Sequence, residues 1–516
     1  MVLFPEKGAI FWELDVKRQV KNQIRWSGEN EITVQEAQMR TFSNFAWMFM
    51  RTEGDYNFST GSRGRGNLSS VANPYFLFPQ IYNFRYNIYS SEWPVANRAI
   101  ELYLQKKSEN EGWERQINGL SNNEKANLLL EKHTFKELLA DVEQRNLQNN
   151  IVGLEASRIF ARSEINMGVD AFRDSLYAML KRNTFLNIKF ENMLDTLGQM
   201  SRTDIYSSLK EWEQLTPLPF YSIGEPELTK VVNKGGEEFF VLKVLVSNNS
   251  DYDGIIQMNV LQNGWWYQPL EDPRARKKVE IAAHTTKEFV SVWEEQIREV
   301  EVNTMISGNL PYMIRQSIGN VKQERNKIVK DSIYTLPESS LEMPGEIIVD
   351  NEDSTLFVLS TPPVVGLLPK WLDEVEETPF KYSGISWWRA PLQWTATTNA
   401  KYYGKYIRSA YVIKSGDGSQ TATWKIPVPE AGQYELYYYV FKNDELRWND
   451  RLQGEYHFRV AYDSEVEDAY INLRKANEGW EQLGTYYFSA DTVRVVLTDE
   501  CKLRSVTADA VKIVKR

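Results

Sequence analysis

The sequence predicts a multi-domain α+β protein, a helical N-terminal half followed by two β-sandwich domains. Three observations carry this. Apolar residues recur at helical spacing from about Glu92 to Trp212, the period changes from 3.6 to 2 beyond Leu228, and the last third alternates again with Gly and Pro between the runs. With 516 residues, 42% hydrophobic and 25% charged, the chain is long enough to bury several cores.

Residues 1–226 form the first region. The opening ninety residues read as mixed, because Phe42 to Met50 is aromatic and Ser59 to Asn67 is a Gly, Ser and Arg loop. A bundle of helices follows, clearest where Val169, Phe172, Leu176, Met179 and Leu180 share one face, and again at Phe190, Met193, Leu194 and Leu197. Ser201 or Thr203 is placed to cap a last helix with the face Ile205, Leu209 and Trp212; Thr216-Pro217-Leu218-Pro219 then removes backbone donors and ends it.

Residues 227–310 read as a β-sandwich. Phe240, Leu242, Val244 and Val246 alternate with Lys243 and its neighbours, and Ile256, Met258 and Val260 with Gln257 and Asn259. Asn263-Gly264 suits a hairpin turn that folds Ile255 to Leu261 against Trp265-Trp266-Tyr267. Residues 311–344 are charged, polar and broken by Pro337 and Pro344, the pattern of an exposed linker. Residues 345–516 return to period 2: Tyr434, Leu436, Tyr438 and Val440; Tyr456, Phe458, Val460 and Tyr462; Val493, Val495 and Leu497. This is an all-β sandwich or jelly roll.

Charge and motifs remove several functions. Lys plus Arg total 60 against 70 Asp plus Glu, a net charge of -10 that disfavours nucleic acid and anionic membranes as partners. No stretch approaches the ~20 apolar residues of a membrane span. The single cysteine, Cys501, forms no intrachain disulfide. The first ten residues carry Pro5, Glu6 and Lys7 where a signal peptide needs an apolar run, so an export address is expected outside this chain. There is no Gly-x-Ser-x-Gly elbow and no phosphate loop.

The chemistry-bearing residues divide as follows. His133 lies on a helix without a Ser or Cys motif and reads as a partly buried structural histidine; His457, between Tyr456 and Phe458, points to the opposite side of its strand. The loop Ser59 to Asn67, with Arg63 and Arg65, suits an anion, or is plain surface loop. Asp463, Glu465, Glu467 and Asp468 offer oxygens to a structural Ca²⁺ without the spacing of a known loop; no other cofactor is indicated. Aromatic residues reach 13% of the chain. Trp387, Trp388, Trp394, Tyr402, Tyr403 and Trp448 sit in polar stretches and are the candidate ligand contacts, since an indole beside Asn, Asp and Arg stacks on sugar C–H groups while its neighbours bond hydroxyls. Filling the sandwich core is the competing role for the same rings.

Four stretches carry a family resemblance: Ala431-Gly432-Gln433-Tyr434, Gly479-Trp480-Glu481-Gln482-Leu483-Gly484-Thr485-Tyr486-Tyr487-Phe488, the strand Val493 to Leu497, and Ala508-Asp509-Ala510-Val511. Together they resemble the C-terminal module of golvesin and xanthan lyase, a carbohydrate-binding-like β-sandwich. In that setting Ala508 and Ala510 let two backbones approach while the Asp509 carboxylate accepts loop amides. A weaker resemblance, over Val169 to Ile223 and the sandwich after it, is to the post-catalytic part of gluzincin-type zinc aminopeptidases. That chemistry needs His-Glu-x-x-His, and His133, His284 and His457 are far apart. The pairing of the two modules is similar to large envelope proteins of Bacteroidetes-type bacteria.

The resulting expectation is a non-catalytic extracytoplasmic binding and scaffold protein, in the periplasm or at the cell surface, whose last module holds glycan or another envelope component. Protein partners are a further possibility. Two alternatives stand beside it: the C-terminal segment of a zinc aminopeptidase-like polypeptide with its metal site upstream, and a structural subunit of an envelope assembly.

Overall fold

The computed structural model describes residues 17, 20–25, 32–41, 86–104, 111–141, 143–183, 186–232, 235–261, 272–319, 321–325, 329–341, 345–360, 380–385, 390–442, 454–463 and 465–516. They form two units: residues 1–109, 126–217 and 272–280, and residues 110–125, 218–271 and 281–516. Apart from one short strand pair, helices precede strands, as the change of period predicts.

The first unit is built on the long helix Gln148–Met167, whose Ile151, Leu154, Ile159 and Phe160 are buried. The helix Val169–Arg182 contributes Phe172, Leu176 and Leu180, the face read from the sequence. Phe190–Ser201 adds Met193, Leu194 and Leu197. Phe160 packs against Tyr103 and Phe172, with ring centroids 4.7 and 5.4 Å away. Trp212 meets Trp93 and Phe135 at 4.9 and 4.5 Å. Thr134 and Glu137 form a reciprocal capping box at the start of Phe135–Ala140. The last cap differs from expectation: Asp204, not Ser201 or Thr203, accepts the Ser207 amide at 3.0 Å, because the chain first turns through a left-handed Arg202. A short parallel pair joins β1 (Tyr86–Tyr89) to β2 (Leu186–Lys189). His133 is exposed, so the partly buried role read from sequence is not what the helix end provides.

In the second unit, residues 218–337 supply β3 (Tyr221–Ile223), β4 (Glu227–Val232), β5 (Glu238–Asn248), β6 (Gly254–Leu261), β8 (Thr285–Trp293), β9 (Glu299–Asn303), β10 (Met313–Ser317), β11 (Val321–Arg325) and β12 (Ser332–Pro337). The strand Arg276–Ile281, most of which belongs to the first unit, is β7. One sheet has the order β11-β4-β5-β8-β12 with β3 on β5, and β9 pairs with both β6 and β10. Within the linker expected at residues 311–344, residues 313–337 instead provide three paired strands. The edge strand β11 is polar and largely exposed, whereas β12, the other edge, carries Ile333, Tyr334 and Leu336. The partner proposed for the hairpin, Trp265 to Tyr267, lies outside the described residues.

The third part comprises β13 (Glu346–Val349), β14 (Phe357–Ser360), β15 (Thr395–Thr398), β16 (Ser409–Lys414), β17 (Thr421–Pro427), β18 (Gly432–Val440), β19 (Glu455–Tyr462), β20 (Glu465–Asn472), β21 (Gly479–Phe488), β22 (Thr492–Thr498), β23 (Ser505–Ala508) and β24 (Val511–Lys515). They make the sheets β13-β24-β18-β21, β14-β17-β22-β19-β20 and β15-β16-β23. The inward residues of the first two fill one core: Tyr434, Leu436, Tyr438 and Val440 from one side, Trp424, Phe458, Val460 and Val495 from the other. This sandwich is tied to residues 218–337 through a parallel bridge at Leu310 and Ile407, with Leu310 N–H donating to Tyr406 and Arg408 N–H to Leu310. Residues 110–125 dock on it as well. A Cβ on Gly384 would lie 1.7 Å from the Ile117 carbonyl oxygen, and Thr398 donates to the Gly119 carbonyl at 2.7 Å.

Candidate ligand-binding site

Of the six ring residues expected from sequence as ligand contacts, three fall among the described residues. Trp387, Trp388 and Trp448 lie outside the described residues. Trp394, 8% exposed, belongs to the sandwich core. Tyr402 is also interior, edge-on to Phe441 at 4.6 Å. For these two the core role, weighed from the start, is the one the fold uses. Tyr403 is half-buried, and it leads to the strongest cluster on the module.

Tyr403 packs against Tyr439 and Trp480 at 5.4 and 5.0 Å, and those two rings meet at 5.1 Å. Tyr439 and Trp480 face outward from neighbouring strands because they are directly paired in the β18–β21 register. Opposed residues of a sheet share a face. The outer face of β13-β24-β18-β21 therefore carries Tyr439 with Trp480, Tyr437 with Gln482 and Lys512, Glu435 with Thr485 and Val514, and Gln433 with Tyr487. Glu346 joins it from β13, opposite Val514. Exposure increases along the strip: Tyr439, Trp480 and Tyr437 are partly buried, whereas Gln482, Thr485 and Tyr487 are exposed. Six residues of β18 separate its ends, ~20 Å of strand.

Electrostatics set the rings. The Lys512 ammonium lies 4.8 Å from the Trp480 centroid and 5.3 Å from that of Tyr437, and pairs with Glu346 at 2.8 Å. Glu435 accepts the Tyr437 hydroxyl at 2.6 Å and faces the Arg516 guanidinium at 3.5 Å. The Tyr437 hydroxyl is consequently held above the ordinary phenol range, chiefly by that bond to Glu435. Burial pushes Tyr439 up to about 12.

Under the deep end lies a buried acid pair. Asp509 Oδ2 accepts the Tyr403 amide at 3.2 Å, the role read for this residue in the Ala-Asp-Ala-Val stretch. Among the described residues its Oδ1 has no hydrogen-bond partner, and burial followed by the nearby Asp350 charge holds its carboxyl well above the usual range. Asp350 is pushed from 3.8 up to about 8, again by burial first. Burial disfavours the charged form of both carboxyls, and Asp350 at about 8 is mostly protonated at neutral pH. Arg408, partly buried near Asp509, donates to the Ala400 carbonyl at 2.8 Å.

Elsewhere, Asp468 and Glu467, two of the carboxylates considered for calcium, bind His457 and the Tyr462 hydroxyl. Among the described residues no group of three or more His, Cys, Asp and Glu is placed to hold a metal ion. His457 does face outward, with Tyr470 stacked on it at 4.9 Å.

Sequence comparison places this architecture. Residues 388–515 match the Golvesin C-terminal domain family. The golvesin-type module so defined contains Tyr403, Tyr439, Trp480, Lys512 and Asp509. Among solved structures, a Paenibacillus xanthan lyase is similar at 17% identity and TM-score 0.24, over 58% of this chain and 27% of that one. This chain thus spans well under half of that protein's length. The CBM35 of Cellvibrio japonicus Abf62 is similar at 13% identity and TM-score 0.17, over 24% of this chain and 83% of that one. A Podospora anserina GH26-CBM35 β-(1,4)-mannanase is similar at 11% identity and TM-score 0.18, over 34% and 28%. No curated protein matches the sequence significantly.

Tyr437, Tyr439 and Trp480 were missed as site residues from sequence, although the signal was present. Tyr437-Tyr438-Tyr439 is aromatic in both phases of one strand, and only one phase fills the core.

Proposed function

We propose that this chain is a non-catalytic, extracytoplasmic glycan-binding protein whose golvesin-type module holds sugar rings on the outer face of β13-β24-β18-β21. The observation that carries the reading is the aromatic strip: partly buried rings on a sheet face, fixed by one ammonium and flanked by Gln482, Thr485 and Glu435. Rings of this kind stack on the apolar faces of sugars while amide, hydroxyl and carboxylate neighbours bond their hydroxyls. The family match supports the same reading, because modules of this type are carbohydrate-binding-like. The helices of the first unit, which hold His133 alone of the three histidines, then serve as scaffold.

The test is a glycan array with the full chain, repeated with Trp480→Ala and Tyr487→Ala. Binding should weaken about tenfold or more in the Trp480 variant and less in the Tyr487 variant. Equal binding by parent and Trp480→Ala protein would remove the strip from the reading. Trp387→Ala, Trp388→Ala and Trp448→Ala belong in the same screen, each loss adding a contact.

A further inference from the structure

The charges on the strip identify the class of glycan. The outward strand positions carry Glu346, Glu435 and Lys512, joined by Arg516 beyond β24, while Glu478 and Arg408 act on Tyr439 at the deep end. The first four form two pairs of opposite sign, Lys512 with Glu346 at 2.8 Å and Arg516 with Glu435 at 3.5 Å. Lys512 is also enclosed on two further sides by the Tyr437 and Trp480 rings. An acidic sugar would have to take Lys512 from a carboxylate already in contact, and would bring its own charge against Glu346 and Glu435. A neutral sugar meets no such penalty, because hydroxyls donate to Glu435 and accept from Gln482 without disturbing either pair.

We infer that the outer face of β13-β24-β18-β21 selects uncharged glycan chains over those bearing uronate or sulfate. This rests on the glycan-binding reading and specifies its ligand. The preference is set by Glu346, which occupies the cation that an acidic residue would otherwise use. Replacing it converts the face from compensated to positive.

The experiment measures binding of the full chain to two sets of probes, neutral hexaoses with gluco-, manno- and galacto-configured backbones and an oligogalacturonate of equal length. Titrations run at about 0.01 M and about 0.15 M salt, between which the screening length falls from ~30 to ~8 Å. Neutral probes should bind with affinity that changes less than about twofold with salt. The Glu346→Gln protein should bind oligogalacturonate more tightly than the parent by about fivefold at the lower salt, the size of one ion pair near the surface, and by less at the higher salt. Selective, salt-sensitive binding of oligogalacturonate by the parent would overturn the inference while leaving the glycan reading standing. Failure of both probe sets, with Trp480→Ala indistinguishable from the parent, would sink the reading beneath it.

Discussion

Replacing Asp350 by Asn isolates one buried proton. The folded protein keeps Asp350 protonated up to about 8, against 3.8 for the same group in water. Burial is the main cause, the Glu352 charge adds to it, and the amide hydrogens of Asn351 and Glu352 act the other way. The sign follows from linkage. The folded state holds more protons than the unfolded chain between the two values, so stability associated with this group is full below pH 3.8 and is lost as pH rises toward 8. About four pH units at ~1.4 kcal/mol each make the loss on the order of 5 kcal/mol. An asparagine keeps the carbonyl that accepts the Asn351 amide at 2.7 Å, and never ionises. The assay is urea unfolding of parent and Asp350→Asn proteins across this range. The difference in stability should shift in favour of the variant by several kcal/mol between the acid end and pH 8, with most of the change above pH 4. A difference constant to within about 1 kcal/mol would refute the reasoning, showing that the carboxyl is solvated or already ionised.

Three further outcomes are expected. Gly384→Ala places a methyl 1.7 Å from the Ile117 carbonyl and should destabilise by about 2 kcal/mol in thermal unfolding, while Gly236→Ala, with open space around it, should show only the cost of its left-handed backbone. Trp424→Ala empties the centre of the golvesin-type sandwich and leaves the Asp509 carbonyl without its 3.1 Å donor, a loss of about 3–5 kcal/mol; Val466→Ala, on the exposed edge strand, should change stability by less than about 0.5 kcal/mol. His284 is raised above 6.5 by its bond to Asp251 and then by Glu338, so the stability it supplies is complete below 6.5 and fades as pH rises through the raised value. His284→Gln should therefore lower the melting temperature on the acid side and match the parent at alkaline pH.

Much of the architecture was legible because burial leaves a period. Every member of Tyr434, Leu436, Tyr438 and Val440 is interior, as the alternation required. The helix faces around Phe172 and Leu194 were equally plain. What misled was polarity at sheet edges. The strand β11 pairs through its backbone while its charged side chains face water, so hydropathy gives it the look of a linker, and β12, despite Ile333, Tyr334 and Leu336, sits between that charged run and Pro337. The candidate site was half legible. Sequence pointed to exposed aromatics in polar loops, and the fold placed Trp394 and Tyr402 inside. The rings that gather come from strand positions two apart and from a partner strand some forty residues later, a proximity that only the register supplies.

The pairing of β13 with β24 has a practical consequence for anyone isolating the golvesin-type module. The family match begins at residue 388, yet β13 and β14 lie before it and complete the two sheets by pairing with β24 and β17. A fragment cut at the family boundary would strip a border strand from each sheet. It would bare the hydrogen-bonding edges of β24 and β17, and offer them to any extended chain in solution. Such a fragment would self-associate by strand addition, and would lose Glu346, the partner of Lys512, with it. An excision beginning at Gly345 keeps both borders closed, and because its first and last strands are neighbours, the two ends of the module emerge side by side, suited to insertion into a surface loop of another protein.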